Sequence, residues 1–470
     1  MEEHEMTIRM ASKRRAVALA ATGASLALVL AACADTNDGG GEDGGGEATG
    51  PSAIDCAAYE EFGDLDGTEV SVYTTIVEPE AETQTLSYEP FEDCTGVTIN
   101  YEGSREMEAQ LPVRVQAGNP PDIAILPQPG LLKTLVNDYD AVLPAPEQVE
   151  ANVDEGWAPE WKEYGTVDGT FYAAPLGSNV KSYVWYSPKM FADAGYEVPT
   201  TWDELTELTA TIAEGNEGAT RPWCAGIESG DATGWPGTDW IEDVVLRTAG
   251  PDVYDQWYSH EIPFNDPQIV DAFDTAGDIL KNPDYVNGGL GGVDSIATAT
   301  WTDAGYPILD GNCWMHRAAN FYQTQWPEGT EVGPDGDVYA FYLPAMTADE
   351  KPTLVAGEFI GAFTDRPEVK AFQTYLSSAE WANAKAESTP AGGWVSANKG
   401  LDPELLATDF DRLSAEILAD PATVARFDAS DLMPAAVGTD SFWNGMVEWF
   451  ASDQSSQQVT DTIEASWPKN

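Results

Sequence analysis

Two α/β lobes are what this sequence predicts, on three observations. Strand-like and helix-like runs alternate from residue 68 onward, hydrophobic residues make up 43% of the chain, and 470 residues exceed what one core usually organises. In order, "TEVSVYTTI" (68–76) alternates as a strand, and "ETQTLSYEPFEDCTG" (82–96) reads as a helix ending near Gly96. "VTINYEGS" is a second strand, "REMEAQLPVRVQAGN" a helix bent by Pro112, and "PDIAILP" a strand buried on both faces. In "YGTVDGTFYAAPLG", Asp168 and Gly169 between β-rich runs predict a hairpin. "KSYVWYSP" is a strand, and "TTWDELTELTATIAEGN" a helix capped by Thr200 or Thr201. Helical stretches come next at 241–248, 269–281, 367–388 and 409–418, and "SFWNGMVEWFASDQSSQQVTDTIEASW" makes two closing helices.

The N-terminus has a different character. Arg9, Lys13, Arg14 and Arg15 precede an uncharged apolar run over 16–32, the layout of a signal peptide and too short for a comfortable bilayer span; Met10 is a second candidate start. The run stops at Cys33, and "LAAC" resembles a bacterial lipobox, which implies cleavage before Cys33 and lipid on its sulfur. An ordinary secretory signal with an incidental cysteine is the other reading, and both export the chain. Residues 33–53 hold glycines and acids with almost nothing to bury, so they read as a flexible tether.

A formal charge of −58 repels nucleic acid and offers no basic membrane patch. No Gly-x-Ser-x-Gly elbow, P-loop or His-Glu-x-x-His occurs, and "GGLGG" at 288–292 fails the dinucleotide fingerprint. No Cys-x-x-Cys is present, and beyond the leader the histidines are His260 and His316, so neither metal nor cofactor is expected. With 80 acids, close carboxylate pairs are certain and say nothing about glycoside cleavage.

Tryptophan is the informative excess, sixteen in all. Trp235 and Trp240 lie beside Asp231 and Asp239 in "DATGWPGTDW", Trp314 is in "DGNCWMHR", Trp394 in "AGGWVSANK" and Trp443 in "GTDSFWNGM". Each alone suits a core, but five in four loop-like settings suit stacking against the C–H faces of sugars, with polar partners for the hydroxyls.

The lipobox, "VDGTFYAAPLGSNVKSYVWYSPKMFADAGYEVPTTWDEL", "GWPGTDWIEDVVLRTAGPDVYDQW" and "GGWVSANKG" together resemble the extracellular solute-binding proteins of carbohydrate ABC importers, nearest to the α-glucoside (maltose, trehalose) branch of actinobacterial type. The likeness spans the chain after Cys33. It implies a periplasmic-binding-protein-like α/β fold, two lobes joined by a three-segment hinge with the ligand cleft between them. The crossings fall near 176–182, 343–354 and 388–394, lobe I being 54–178 plus 347–392 and lobe II 179–346 plus 393–470. Four cysteines remain beside Cys33 and allow three pairings; Cys56 with Cys94 and Cys224 with Cys313 would each stay within one lobe.

Carried over motif by motif, the resemblance implies ligand contacts at Arg105, Glu106 and Gln128 from the first lobe, and at Asp231, Trp235, Asp239, Trp314 and Trp443 from the second. Asn179, Glu358, Gly393 and Trp394 fall at the crossings; for Asn179 and Glu358 a hinge hydrogen bond is the equal alternative. The expected protein is a monomeric, lipid-anchored receptor on the extracellular face, not an enzyme. It would close on an oligosaccharide and hand it to permease subunits. An exported glycoside hydrolase and a binder of another solute, such as a polyol or peptide, are the competing readings.

Overall fold

The computed structural model describes residues 51–215, 220–287 and 291–469. The leader, Cys33, the tether up to residue 50 and residues 288–290 of the glycine run lie outside the described residues. No helix among the described residues is long and apolar enough to cross a membrane.

The first sheet has five strands, in spatial order Thr98–Gly103, Glu69–Thr74, Ile123–Leu126, Phe359–Ala362 and Ala173–Pro175. The first three are parallel, as strand–helix alternation requires, and Phe359–Ala362 runs antiparallel beside Ile123–Leu126. Every residue of Ile123–Leu126 is buried, because helices cover both faces. The second sheet orders Val286–Asn287, Arg221–Cys224, Cys313–Arg317, Tyr183–Tyr186 and Tyr339–Tyr342. Each sheet has its own core: Val70, Ile125, Phe359 and Phe372 in one, Trp223, Ile241, Phe273 and Met446 in the other.

A third sheet, Val424–Phe427, Pro352–Ala356 and Asn179–Val180, lies where the chain passes between the cores. Its strands alternate their side chains, so Leu354 joins the second core while Val355 joins the first. Phe427 and Leu432 also belong to the first core, and Val395, Leu401 and Leu406 pack on Ala382 and Ala386. The chain after residue 393 therefore does not go over to the second core in one piece.

Two predicted helices are each broken. Residues 82–96 form Glu80–Leu86 and Glu89–Thr95, because Pro90 has no N–H to continue a ladder and sits instead in a new first turn; Gly96 closes the second helix at φ 71°. Residues 367–388 form Pro367–Leu376 and Ala379–Glu387, since the Ser378 side chain accepts from Trp381 N and caps a fresh start. The hairpin forms as expected, with Asp168 and Gly169 at φ 49° and 81°. Thr201 caps the helix Trp202–Gly215 through Glu204 N at 3.3 Å. Disulfides join Cys56 to Cys94 and Cys224 to Cys313, at Cα separations of 5.2 and 5.8 Å.

Candidate functional site

Between the two cores lies a cleft of about 630 Å³. Its first wall is made by residues just past the parallel strands: Glu78, Glu80 and Gln84 after Glu69–Thr74, Arg105 and Glu108 after Thr98–Gly103, and Gln128 after Ile123–Leu126. Carboxyl ends of strands are where open α/β sheets place ligands. The second wall comes from Trp235 after Arg221–Cys224, from Phe321, Gln323 and Gln325 after Cys313–Arg317, and from Trp301 and Trp443. The crossings supply Asn179, Lys181, Glu358, Gly393, Trp394, Asp428 and Asp431.

Of the twelve expected ligand residues, the structure brings eight to the cleft: Arg105, Gln128, Asn179, Trp235, Glu358, Gly393, Trp394 and Trp443. Asn179 Nδ2 donates to Glu358 Oε1 at 3.3 Å. Gly177 lets Glu358 and Trp394 approach the backbone closely: a Cβ there would lie 2.8 Å from Glu358 Oε2 and 3.1 Å from Trp394 Nε1, so the glutamate would have to shift. Trp235, Trp301 and Phe321 gather three rings with centroids 5.2 to 6.1 Å apart, and the Lys181 ammonium lies 5.3 Å from the Trp235 ring.

The other four lie outside the cleft lining. Glu106 is the N-cap of the helix Met107–Gln116; it is exposed and does not line the cleft, whereas Arg105 just before it and Glu108 in the first turn do. Asp231 is exposed in the turn Gly230–Ala232 and does not line the cleft, although its charge reaches Glu108. Asp239 is fully buried one turn into the helix Trp235–Thr248, where it accepts from Lys181 Nζ (2.9 Å) and Arg317 Nη1 (2.7 Å). Trp314 falls inside a strand, packs its ring 5.2 Å from that of Tyr196, and donates from Nε1 to Thr220 Oγ1 at 3.0 Å.

Sequence reading missed the charges of the cleft. Lys181 Nζ also donates to Asp428 Oδ2 (2.5 Å), Asp243 accepts from Arg317 Nε (2.9 Å) and Ser182 Oγ (2.6 Å), and Leu354 N donates to Ser182 Oγ (2.8 Å), which ties two crossings to one helix. A lysine within the apolar run "NVKSYVWY" was the available signal. Asp239, Glu242 and Asp428 bring carboxylate oxygens within 4.8 Å of one another, a spacing a metal ion could use, but the Lys181 ammonium already bridges two of them. On the first wall, burial pushes Glu80 up to about 7, with Glu358 adding to the shift and Lys385 opposing it. Burial likewise raises Glu108 to about 7, although Gln128 Nε2 donates to it at 2.5 Å. Lys385, which donates to Thr83 Oγ1, is lowered by burial to about 7. Gln325 Nε2 reaches across the cleft to Glu80 Oε1 at 3.2 Å. The arrangement offers ring faces beside fixed donors and acceptors, which is binding chemistry.

The chain is similar to known proteins. The chain is 38% identical over 414 residues to the osmoprotective compounds-binding protein GgtB of Synechocystis sp., covering 87% of this chain and 94% of that one. It is 36% identical over 396 residues to the alpha-glucosides-binding periplasmic protein AglE of Rhizobium meliloti, covering 81% and 82%. Among solved structures, the bacterial solute receptor AcbH, described as preferring β-D-galactopyranose, superposes with a TM-score of 0.70 at 16% identity over 85% of this chain and 98% of its own, which shows the fold. Residues 71–383 match the model of the bacterial extracellular solute-binding proteins, and the chain belongs to that family.

Proposed function

We propose that this protein is the binding receptor of an ABC-type sugar importer, taking an α-glucoside such as maltose or trehalose. The observation that carries the reading is the cleft, where Trp235, Trp301, Phe321 and Trp394 stand beside Glu80, Arg105 and Lys181. A sugar touching both walls at once stabilises the closed form and transforms nothing. The ligand set proposed is the eight expected residues that line the cleft, together with Glu80, Glu108, Lys181, Trp301 and Phe321. The likeness to AglE supports an α-glucoside. The likeness to GgtB favours a second reading, a small polyhydroxylated osmoprotectant.

A thermal-shift screen across mono-, di- and oligosaccharides and polyols tests this. A concentration-dependent rise in melting temperature with maltose or trehalose, without turnover, is expected. A rise with a polyol alone would select the second reading, and hydrolysis of a nitrophenyl glucoside would replace both with an enzyme.

Lipid on Cys33 would hold the protein at the extracellular face of the membrane, where a monomer reaches its permease on the 33–53 tether. Cys33→Ala is expected to leave the membrane fraction; continued palmitate labelling of that variant would refute the anchor.

A further inference from the structure

Beneath the cleft, and reaching its floor through Lys181, Asp428 and Asp431, lies a cluster with more carboxyl groups than cations. Asp239, Glu242, Asp243, Asp428 and Asp431 are all buried in it, against Lys181, Arg247 and Arg317. The three cations are used up: Lys181 bonds Asp239 and Asp428, Arg317 bonds Asp239 and Asp243, and Arg247 bonds Asp243. Glu242 and Asp431 have no cation partner within ion-pair distance among the described residues.

These two differ in what they face. Glu242 is fully buried; its Oε1 accepts from Ser430 N at 3.0 Å, and its Oε2 has no partner. Asp431 is 7% exposed and lines the cleft. Its backbone N–H donates to Asp428 Oδ1 at 3.1 Å, but its own carboxyl receives no hydrogen bond from any described residue. An acid so placed is unpartnered within the protein and open only toward the ligand.

Charged neighbours decide its form. Asp428 stands on the same turn, Glu108 comes from the helix Met107–Gln116, Asp239 from the helix Trp235–Thr248, and Lys181 from the first crossing. Lys181 alone favours ionisation, and it is already shared between Asp239 and Asp428. Lost solvation and repulsion act together against a further negative charge. We infer that Asp431 presents a neutral carboxyl group to the bound solute, donating its O–H to a ligand oxygen and selecting for an acceptor at that position. The inference rests on the reading that the cleft takes a polyhydroxylated solute. Burial first, and then the charge of Asp428, push Asp431 well above the usual carboxylate range. A group raised in this way holds its proton to higher pH than an ordinary carboxylate and loses it as pH rises, so affinity falls with rising pH.

Two readouts on the full chain test this. In the ligand-free protein at neutral pH, the infrared difference between wild type and Asp431→Asn is expected to contain the carbonyl stretch of a protonated carboxyl; a carboxylate signal in its place overturns the inference. In calorimetric titrations with maltose and trehalose, Asp431→Ala is expected to lose at least about tenfold in affinity. Asp431→Asn, which keeps an N–H donor, should recover most of that loss and lack the fall with rising pH expected of wild type. An asparagine variant as weak as the alanine one, beside a wild type whose affinity does not change with pH, also overturns it. Should no sugar bind the wild type, the sugar reading fails, while the infrared measurement still decides where the proton is.

Discussion

On the first wall of the cleft, Glu80, Glu108 and Lys385 are desolvated with no salt bridge of their own, and all three are moved to about 7. On the floor, Asp239, Asp243 and Asp428 are buried and each is bonded to a lysine or arginine; Asp243 and Asp428 are held down, Asp428 at about 2, while burial outweighs two cations and leaves Asp239 raised. Burial and partner together set a carboxylate's behaviour. The floor's charges are spent on one another and fix the crossings relative to the second lobe. The wall's polar groups keep hydrogen-bonding capacity, which is what a ligand site needs.

The largest expected effect lies in the floor. Asp243→Ala leaves Arg247 and part of Arg317 buried without a counter-charge, and a loss of about 3–5 kcal/mol in stability is expected, read by denaturant unfolding. A loss under about 1 kcal/mol would mean that the network does not join the crossings to the second lobe. The wall answers to ligand instead. Trp235→Ala and Trp443→Ala should weaken sugar binding at least tenfold, about 1.4 kcal/mol, by calorimetry, whereas Trp314→Ala should alter stability and leave affinity alone.

Glu108 sharpens the comparison through pH. Its folded value is raised from 4.5 to about 7, so its contribution to stability is present below about 4.5 and is lost as pH rises through about 7. Glu108→Gln should flatten that fall by about 1–2 kcal/mol, a figure reduced for the group's partial exposure, in melting temperatures taken across the window. An unchanged slope would place the titration elsewhere. The smallest effect is expected for an exposed pair: Lys189 and Asp193 lie 2.6 Å apart in full solvent, and Lys189→Ala should leave the denaturant midpoint where wild type has it.

Strand–helix alternation was enough to read the first three parallel strands: apolar patterning buries most of Glu69–Thr74 and all of Ile123–Leu126, and Thr98–Gly103 follows as the edge strand of the same alternation. Where the pattern misled, a local competitor decided: Pro90 and the Ser378 cap each ended a helix that periodicity alone would continue. The cleft was legible at Arg105 and Gln128, which come directly after strands, and at Trp235, which opens a helix from a glycine-rich turn. Lys181, Lys385 and Asp428 were not, because they meet their partners from chain segments up to 302 residues away. Among 80 acids, no local feature marks the few that converge. Asp239 failed for the same reason in reverse, its loop-like sequence hiding a place inside a buried helix turn.

The central claim is that the wall's free polar groups and rings close on a sugar. Calorimetric titration of wild type and Trp235→Ala with maltose and trehalose tests this most directly. Saturable binding by the wild type, lost or weakened at least about tenfold in the variant and with the sugar recovered intact, is the predicted result. Equal affinity in both proteins, or recovery of glucose from the titrated sugar, would contradict it.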